Sequence, residues 1–242
     1  MVQEDYWKNW EDYILTPFPP LRWDGEINGC VNKIPDNLPF EIASIAEPLA
    51  CVINGQILSR IEIGDTVLIL GAGPIGILHS LLAKINGASK IILADISEER
   101  IREAEFTGVY LIDMNKNDIY QEVKKITDGH MADRVIVAVG SKNAQELSLK
   151  LVAKRGSINF FGGLPKESPL IQFDSNLLHY GEFFVVGTHG STPLHNKIAI
   201  ELLSSGRINV EKLITHKLPL EKIKEGFEIV ENKNGLKVLI IP

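Results

Sequence analysis

Thr66-Val-Leu-Ile-Leu-Gly-Ala-Gly-Pro-Ile-Gly76 is the stretch whose reading decides the fold. Its first five residues form an apolar, β-branched run. The residues from Ile75 to Ile85 are apolar at helical spacing. A buried strand that turns through three glycines into a helix can hold a pyrophosphate without side-chain charge. Gly71 permits the tight turn. Gly73 has no Cβ, so the backbone can approach a phosphate. Gly76 allows close packing of helix on strand. Ile75 opens the helix, whose N-terminus directs free N–H groups and a positive dipole end at the anion.

A second apolar run, Ile91-Ile-Leu-Ala94, ends at Asp95, 24 residues beyond Gly71. A carboxylate at the tip of the second strand accepts hydrogen bonds from the ribose hydroxyls of an adenosine. It also disfavours a 2′-phosphate. Two like charges about 4 Å apart repel by roughly 4 kcal/mol at an effective dielectric near 20. NAD is therefore expected over NADP, with Arg100, one helical turn further on, as a softening cation. The competing reading is that Asp95 caps the helix that begins near Ser97.

Composition limits the alternatives. The chain has 242 residues, 45% of them hydrophobic and 23% charged, which suits a globular protein with a sizeable core. A net charge of −6 without a basic block argues against nucleic acid as a partner. No apolar run is read as reaching the roughly 18 residues of a membrane span, so no membrane span is expected. The acidic, aromatic start does not suit a signal peptide, and a cytoplasmic location is the default expectation. Cys30 and Cys51 make neither a disulfide framework nor a cysteine zinc site.

Strand and helix patterns alternate through the middle of the chain. Strands are expected at 66–70, 90–95, 109–112, 134–139, 157–161 and 183–186. Helices are expected at 75–85, 98–106, 119–126 and 144–152. Alternation of this kind implies a parallel sheet with right-handed crossovers. Six strands fit a doubly wound dinucleotide fold. Glycines recur just past the strand ends, at Gly71, Gly140, Gly162, Gly163 and Gly187. They line one cleft or serve turn chemistry alone. Further on, helices are expected at 197–204 and 220–230 and a closing strand at 236–241. Residues 1–30 hold Trp7, Trp10 and Trp23 with Pro17, Pro19 and Pro20 between them, and show no stable period.

From about Val31 onward the chain resembles the zinc-dependent medium-chain alcohol and polyol dehydrogenases, in their sorbitol dehydrogenase-like branch. The stretches that carry the resemblance are Lys33-Ile-Pro-Asp-Asn37, Glu47-Pro-Leu-Ala-Cys51, Gly64 to Gly76, Phe161-Gly-Gly163 and Leu213-Ile-Thr-His216. Pro219-Leu220, Lys237-Val-Leu239 and Pro242 add to it. The resemblance implies a six-stranded Rossmann sheet with a smaller, partial catalytic domain. Residues 1–52 and 191–242 would belong to that domain, and residues 53–190 to the NAD-binding unit. It implies hydride transfer from a secondary alcohol or sugar alcohol to NAD. Gly71, Gly73, Pro74, Ile75 and Gly76 would contact the pyrophosphate and nicotinamide ribose, and Asp95 and Arg100 the adenosine end. Val139, Gly140, Phe161, Gly162 and Gly163 would pass along the cofactor, with Thr188, His189 and Gly190 near the nicotinamide. Glu47 matches the glutamate beside the catalytic zinc. On residue chemistry alone a helix N-terminal charge before Pro48 is the favoured reading; with the resemblance the two readings stand level.

One departure matters. The family's zinc-ligating cysteine and Gly-His-Glu motif lie upstream of the position matching Val31. Here the 30 residues before it contain no histidine, and Cys30 is their single cysteine. A catalytic zinc takes about three protein ligands. His79, His130, His179, His189, His195 and His216 include no i, i+4 pair, so each is expected in a surface or core role. The family carries an arginine and an aromatic at His189-Gly190, which argues against sorbitol itself as substrate. Gly190-Ser-Thr192 is not a nucleophile elbow. Cys51 sits among apolar residues and is expected to be an inert buried thiol.

Three functions stay open. One is a polyol-type dehydrogenase, shortened and incomplete for zinc catalysis. One is a non-catalytic NAD-binding subunit. The third is a transferase of the methyltransferase class, which also pairs a glycine turn with a second-strand acid. A homodimer or homotetramer is expected, paired through the strand at 183–186. An exposed apolar patch or an unusual subunit contact is expected over residues 31–60 and 190–242.

Overall fold

The structure, a computed structural model, describes residues 13–16 and 30–242. The tryptophans and prolines of the first 30 residues lie outside that range. β1 (Tyr13–Thr16) pairs antiparallel with β2 (Cys30–Lys33). α1 (Phe40–Ala43) and α2 (Ala46–Ser59) follow. The alternating unit then runs β3 (Thr66–Leu70), α3 (Pro74–Ile85), β4 (Lys90–Asp95), α4 (Glu98–Glu103), β5 (Tyr110–Asp113), α5 (Ile119–Ile126), β6 (Ala132–Val137), α6 (Lys142–Leu151), β7 (Val152–Phe160), α7 (Ser175–Gly181) and β8 (Phe184–Gly187). α8 (Pro193–Ser204), β9 (Ile214–Pro219), α9 (Ile223–Glu231) and β10 (Lys237–Ile241) complete the described chain.

β3 to β8 form one parallel sheet in the order β5-β4-β3-β6-β7-β8. This is the doubly wound order, and it reverses between β3 and β6. β3 is buried at all five positions, as a strand covered on both faces requires. One core cluster, including Leu49, Ile53, Val67, Ile77 and Ile200, lies under α2, α3 and α8. The other, including Leu68, Ile92, Val123, Leu149 and Ile158, lies under α5 and α6.

The structure corrects several boundaries. The helix expected through residue 106 ends as α4 at Glu103, and a 3-10 turn, Glu105–Thr107, closes at Gly108 with φ 62°. β7 starts at Val152 because the chain leaves α6 directly into the strand, with Arg155 at φ 63° where the pairing shifts. The helix expected from 220 opens as a 3-10 turn, Leu220–Lys222. α7 and β9 carry patterns too short or too half-buried to read. β9 pairs parallel with β10.

α1 and α2 also change the membrane reading. Phe40–Ser59 is long and apolar enough to cross a bilayer by length and composition, although Glu41 and Glu47 interrupt it. Leu49, Ala50, Val52 and Ile53 of this stretch are buried in the protein core. The division expected at residues 52/53 falls inside α2, a continuous helix. Its C-cap, Arg60, is left-handed and places its guanidinium 5.1 Å over the ring of Phe184.

α2 is held to the sheet by polar contacts as well as apolar ones. Asn159 on β7 is fully buried. Its Nδ2 donates to the Gly55 carbonyl (2.9 Å) and to Ser59 Oγ (3.0 Å). Ser157 Oγ donates to the Ser59 carbonyl at 2.7 Å. Thr188 Oγ1, beyond β8, donates to Asn159 Oδ1 at 3.1 Å. At the chain's far end, Leu220, Ile223, Phe227, Val230 and Ile241 are exposed, as are Phe40, Ile57 and Leu58 on α1 and α2. These fall on the two segments expected to carry an apolar patch.

Asn159→Leu leaves Ser59 Oγ and Thr188 Oγ1 without this partner. It should destabilise the protein by about 2–4 kcal/mol, read as a lower urea midpoint. An unchanged midpoint would mean that the apolar contacts of α2 suffice.

Candidate functional site

The carboxyl ends of the six parallel strands share one edge, and the sheet reversal puts the Gly71 turn at its middle. Gly71 has φ 109°, a conformation that excludes a side chain. Gly73 caps α3 in an extended conformation, with Pro74 at the first helical position. A Cβ on Gly76 would fall inside the carbonyl oxygen of Gly71. The third glycine is thus demanded by the turn's own backbone more than by the strand. The amides of Ile75 and Gly76 have no backbone acceptor among the described residues, as the first turn of a helix leaves them.

Asp95 closes this turn. Its Oδ2 accepts from the Ala72 amide at 2.7 Å and its Oδ1 from the Ser97 amide at 2.8 Å. The cap of α4 is Ser97, whose Oγ accepts from the Arg100 amide at 3.3 Å. The capping alternative for Asp95 is therefore replaced by a more specific role: the carboxylate ties the tip of β4 to the glycine turn. Ile96, beside it, is exposed.

Arg100 departs from expectation. Its guanidinium donates to the carbonyls of Gly235 (2.8 Å) and Lys233 (3.3 Å) and pairs with Glu103 at 3.2 Å. The turn before β10 aims those carbonyls at it, with Lys233 at φ 59° and Gly235 at φ 119°. Arg100 is thus committed to the C-terminal segment and is not a free cation beside Asp95.

The other strand-end glycines form a continuous floor. A Cβ on Gly71 would lie 3.3 Å from Val139 Cβ. One on Gly162 would lie 2.5 Å from the Val139 carbonyl carbon, and one on Gly140 would lie 2.5 Å from the Gly163 oxygen. Gly73 and Gly163 face open space. Gln145 Nε2 donates to the Gly162 carbonyl at 3.1 Å and steadies that turn. Beyond β8, Thr188 is held by Asn159, and Asn54 Nδ2 on α2 donates to the Gly190 carbonyl at 3.0 Å. His189 is exposed. A groove of about 540 Å³ lined by Tyr120, Leu149, Tyr180 and Phe183 lies on the flank of α5 to α7, away from these turns.

Glu47 is exposed in the first turn of α2, and Cys51 Sγ donates to its Oε1 at 3.4 Å. Burial, with the Glu47 charge adding to it, pushes the Cys51 thiol up to about 11, so it stays protonated. Among the described residues no three His, Cys, Asp or Glu side chains gather as a metal site. The donors present do not fit a catalytic zinc, which takes about three protein ligands. His195 belongs to the cap of α8, exchanging hydrogen bonds with Thr192. His79 is wholly buried, and burial pushes its imidazole down to about 3. Asn159, Asn54 and Gln145 were not singled out from the sequence. The available signal for Asn159 was a polar residue inside an apolar strand.

The family model of the zinc-binding dehydrogenases matches residues 74–205, more than half of the chain. The chain belongs to that family. Its relatives include a D-arabitol-phosphate dehydrogenase of Enterococcus avium, 34% identical over 87% of this chain and 60% of its own length. A sorbitol dehydrogenase of Bombyx mori is 34% identical over 86% of this chain and 60% of its own length. An alcohol dehydrogenase from Thermus sp. ATN1 superposes with a TM-score of 0.82 at 30% identity, over 87% of this chain and 61% of that one. A zinc-binding dehydrogenase candidate from Sinorhizobium meliloti 1021, solved bound to NADP, gives 0.80 at 28% identity, over 88% and 62%. The chain thus spans about 60% of the length of the curated relatives it matches.

Two outcomes follow. Arg100→Ala should loosen the turn at 233–235, giving faster amide exchange in β9 and β10 with little change in β3 and β4. Equal exchange in both variants would remove the clamp. Below its ordinary value of 6.5, the unfolded chain takes up a proton at His79 that the folded chain refuses until about 3. Stability from this group is therefore complete above pH 6.5 and falls as pH drops, by up to about 1.4 kcal/mol per pH unit. Urea midpoints at pH 7, 6 and 5 should fall less steeply in His79→Gln.

Proposed function

We propose that this chain binds NAD and is the dinucleotide-binding part of a zinc-type alcohol or polyol dehydrogenase. In that reaction a secondary or sugar alcohol gives up a hydride to the nicotinamide and a proton to a base. The observation that carries the reading is the Asp95 carboxylate, fixed at the tip of β4 and bonded to the glycine turn. A dinucleotide fits this edge. The amides of Ile75 and Gly76 would face the pyrophosphate, and Asp95 the adenosine ribose hydroxyls. Val139, Gly140, Phe161, Gly162 and Gly163 would line the second half, and Thr188, His189 and Gly190 the nicotinamide end. With Arg100 bound to Gly235 and Lys233, that guanidinium does not offset the repulsion between Asp95 and a 2′-phosphate. The NADP named for the Sinorhizobium meliloti structure belongs to that protein.

The second reading, an NAD-binding subunit without its own turnover, is favoured by the metal donors: among the described residues no further His, Cys, Asp or Glu joins Glu47 and the Cys51 thiol. Assembly through the β8 edge, where Phe184 is exposed, would suit either reading.

Titration of the protein with NADH, NADPH and S-adenosylmethionine tests the cofactor. NADH should bind at least about tenfold tighter than NADPH, and Asp95→Ser should narrow that gap. Preference for S-adenosylmethionine, or no binding of any of the three, would sink the proposal. Zinc content and turnover of arabitol, sorbitol and butanediol with NAD then separate the two readings.

A further inference from the structure

His79 is the only fully buried titratable side chain among the described residues, and the dinucleotide contacts above do not use it. It stands on α3, one turn beyond Gly76, on the helix that opens at the pyrophosphate turn. Its ring meets the ring of Phe161 at 90°, with centroids 4.6 Å apart. Phe161 directly follows β7 and leads into Gly162-Gly163. β7 lies in the half of the sheet across the reversal from Asp95, the half that serves the second mononucleotide.

The third wall of this contact is α2. A Cβ on Gly55 would fall 2.9 Å from Phe161 Cδ2 and 3.2 Å from His79 Cε1. The half-buried Phe161 ring is therefore seated against both α2 and α3.

The hydrogen bonds fix the state of the imidazole. Asn86 Nδ2 donates to Gln56 Oε1 at 2.8 Å, which turns the Gln56 amide nitrogen toward His79. That nitrogen donates to the His79 carbonyl (2.7 Å) and lies 3.4 Å from Nδ1. With that amide nitrogen as the donor, Nδ1 accepts in the tautomer that carries its proton on Nε2. Nε2 is buried with no hydrogen-bond partner among the described residues. Burial keeps the ring neutral. An unpaired buried N–H is a cost that an aliphatic side chain of similar size would avoid, so packing alone does not account for a histidine.

We propose that His79 is a positioning residue for the nicotinamide end of the dinucleotide, acting through the ring of Phe161. This rests on the cofactor reading above. One helix then sets both ends of the site: its N-terminus receives the pyrophosphate, and its next turn fixes the aromatic wall of the second half.

The test compares NADH with ADP-ribose, which lacks the nicotinamide. Both are titrated into wild type, His79→Ala, Phe161→Leu and the double variant. NADH is followed by its own emission and ADP-ribose by calorimetry. His79→Ala should weaken NADH by about two- to tenfold, the range of one aromatic pair, and leave ADP-ribose within about twofold. In the Phe161→Leu background it should add no further loss. Equal losses for both ligands, or additive losses in the double variant, overturn the proposal. Gly55→Ala presses on the same ring from α2 and should give the same NADH-only loss; it serves if His79→Ala does not fold. Wild type that binds neither ligand sinks the cofactor reading and this proposal with it. Wild type that binds both, with His79→Ala unaffected, sinks this proposal alone.

Discussion

The carbonyl of Gly71 lies where a side chain at residue 76 would have to be. That approach is what lets the chain leave β3 and enter α3 within three residues. It fixes the direction of the helix axis and the place where its free amides converge. The Asp95 carboxylate then ties the Ala72 amide to the tip of β4. Turn, helix start and acid are thereby joined through backbone and carboxylate contacts.

Across the sheet reversal the same economy continues. Gly140 and Gly162 bring the turns after β6 and β7 into backbone contact. What side chains contribute comes from behind. Asn159, Asn54 and Gln145 hold Thr188, Gly190 and Gly162 from buried or half-buried positions. α2 supplies much of this support. It also carries Glu47 and Cys51, which no third metal donor joins among the described residues.

The sheet was legible because parallel strands covered on both faces must be apolar throughout, and 66–70, 90–95 and 134–137 leave no other reading. The glycine turn and Asp95 were legible because their chemistry tolerates few other residues. The support behind them was not. Asn159 and Thr188 lie 29 residues apart and meet only in the fold. His79 sits in an apolar helix whose pattern is unbroken by it. Arg100 was read from its distance to Asp95, but its partners come from residues 233 and 235, a contact no local spacing announces. α7 failed for another reason: seven residues with no buried position give no period to detect.

The Arg100 contact also bears on redesign. An exchange of nucleotide preference in such a sheet would take the strand tip and the helix after it as one block. Here that block carries the fastener of the C-terminal strand pair. A grafted block without an arginine at this position would release the 233–235 turn, whereas recoding Asp95 and Ile96 alone, with α4 left in place, keeps the Arg100 contacts to Gly235 and Lys233.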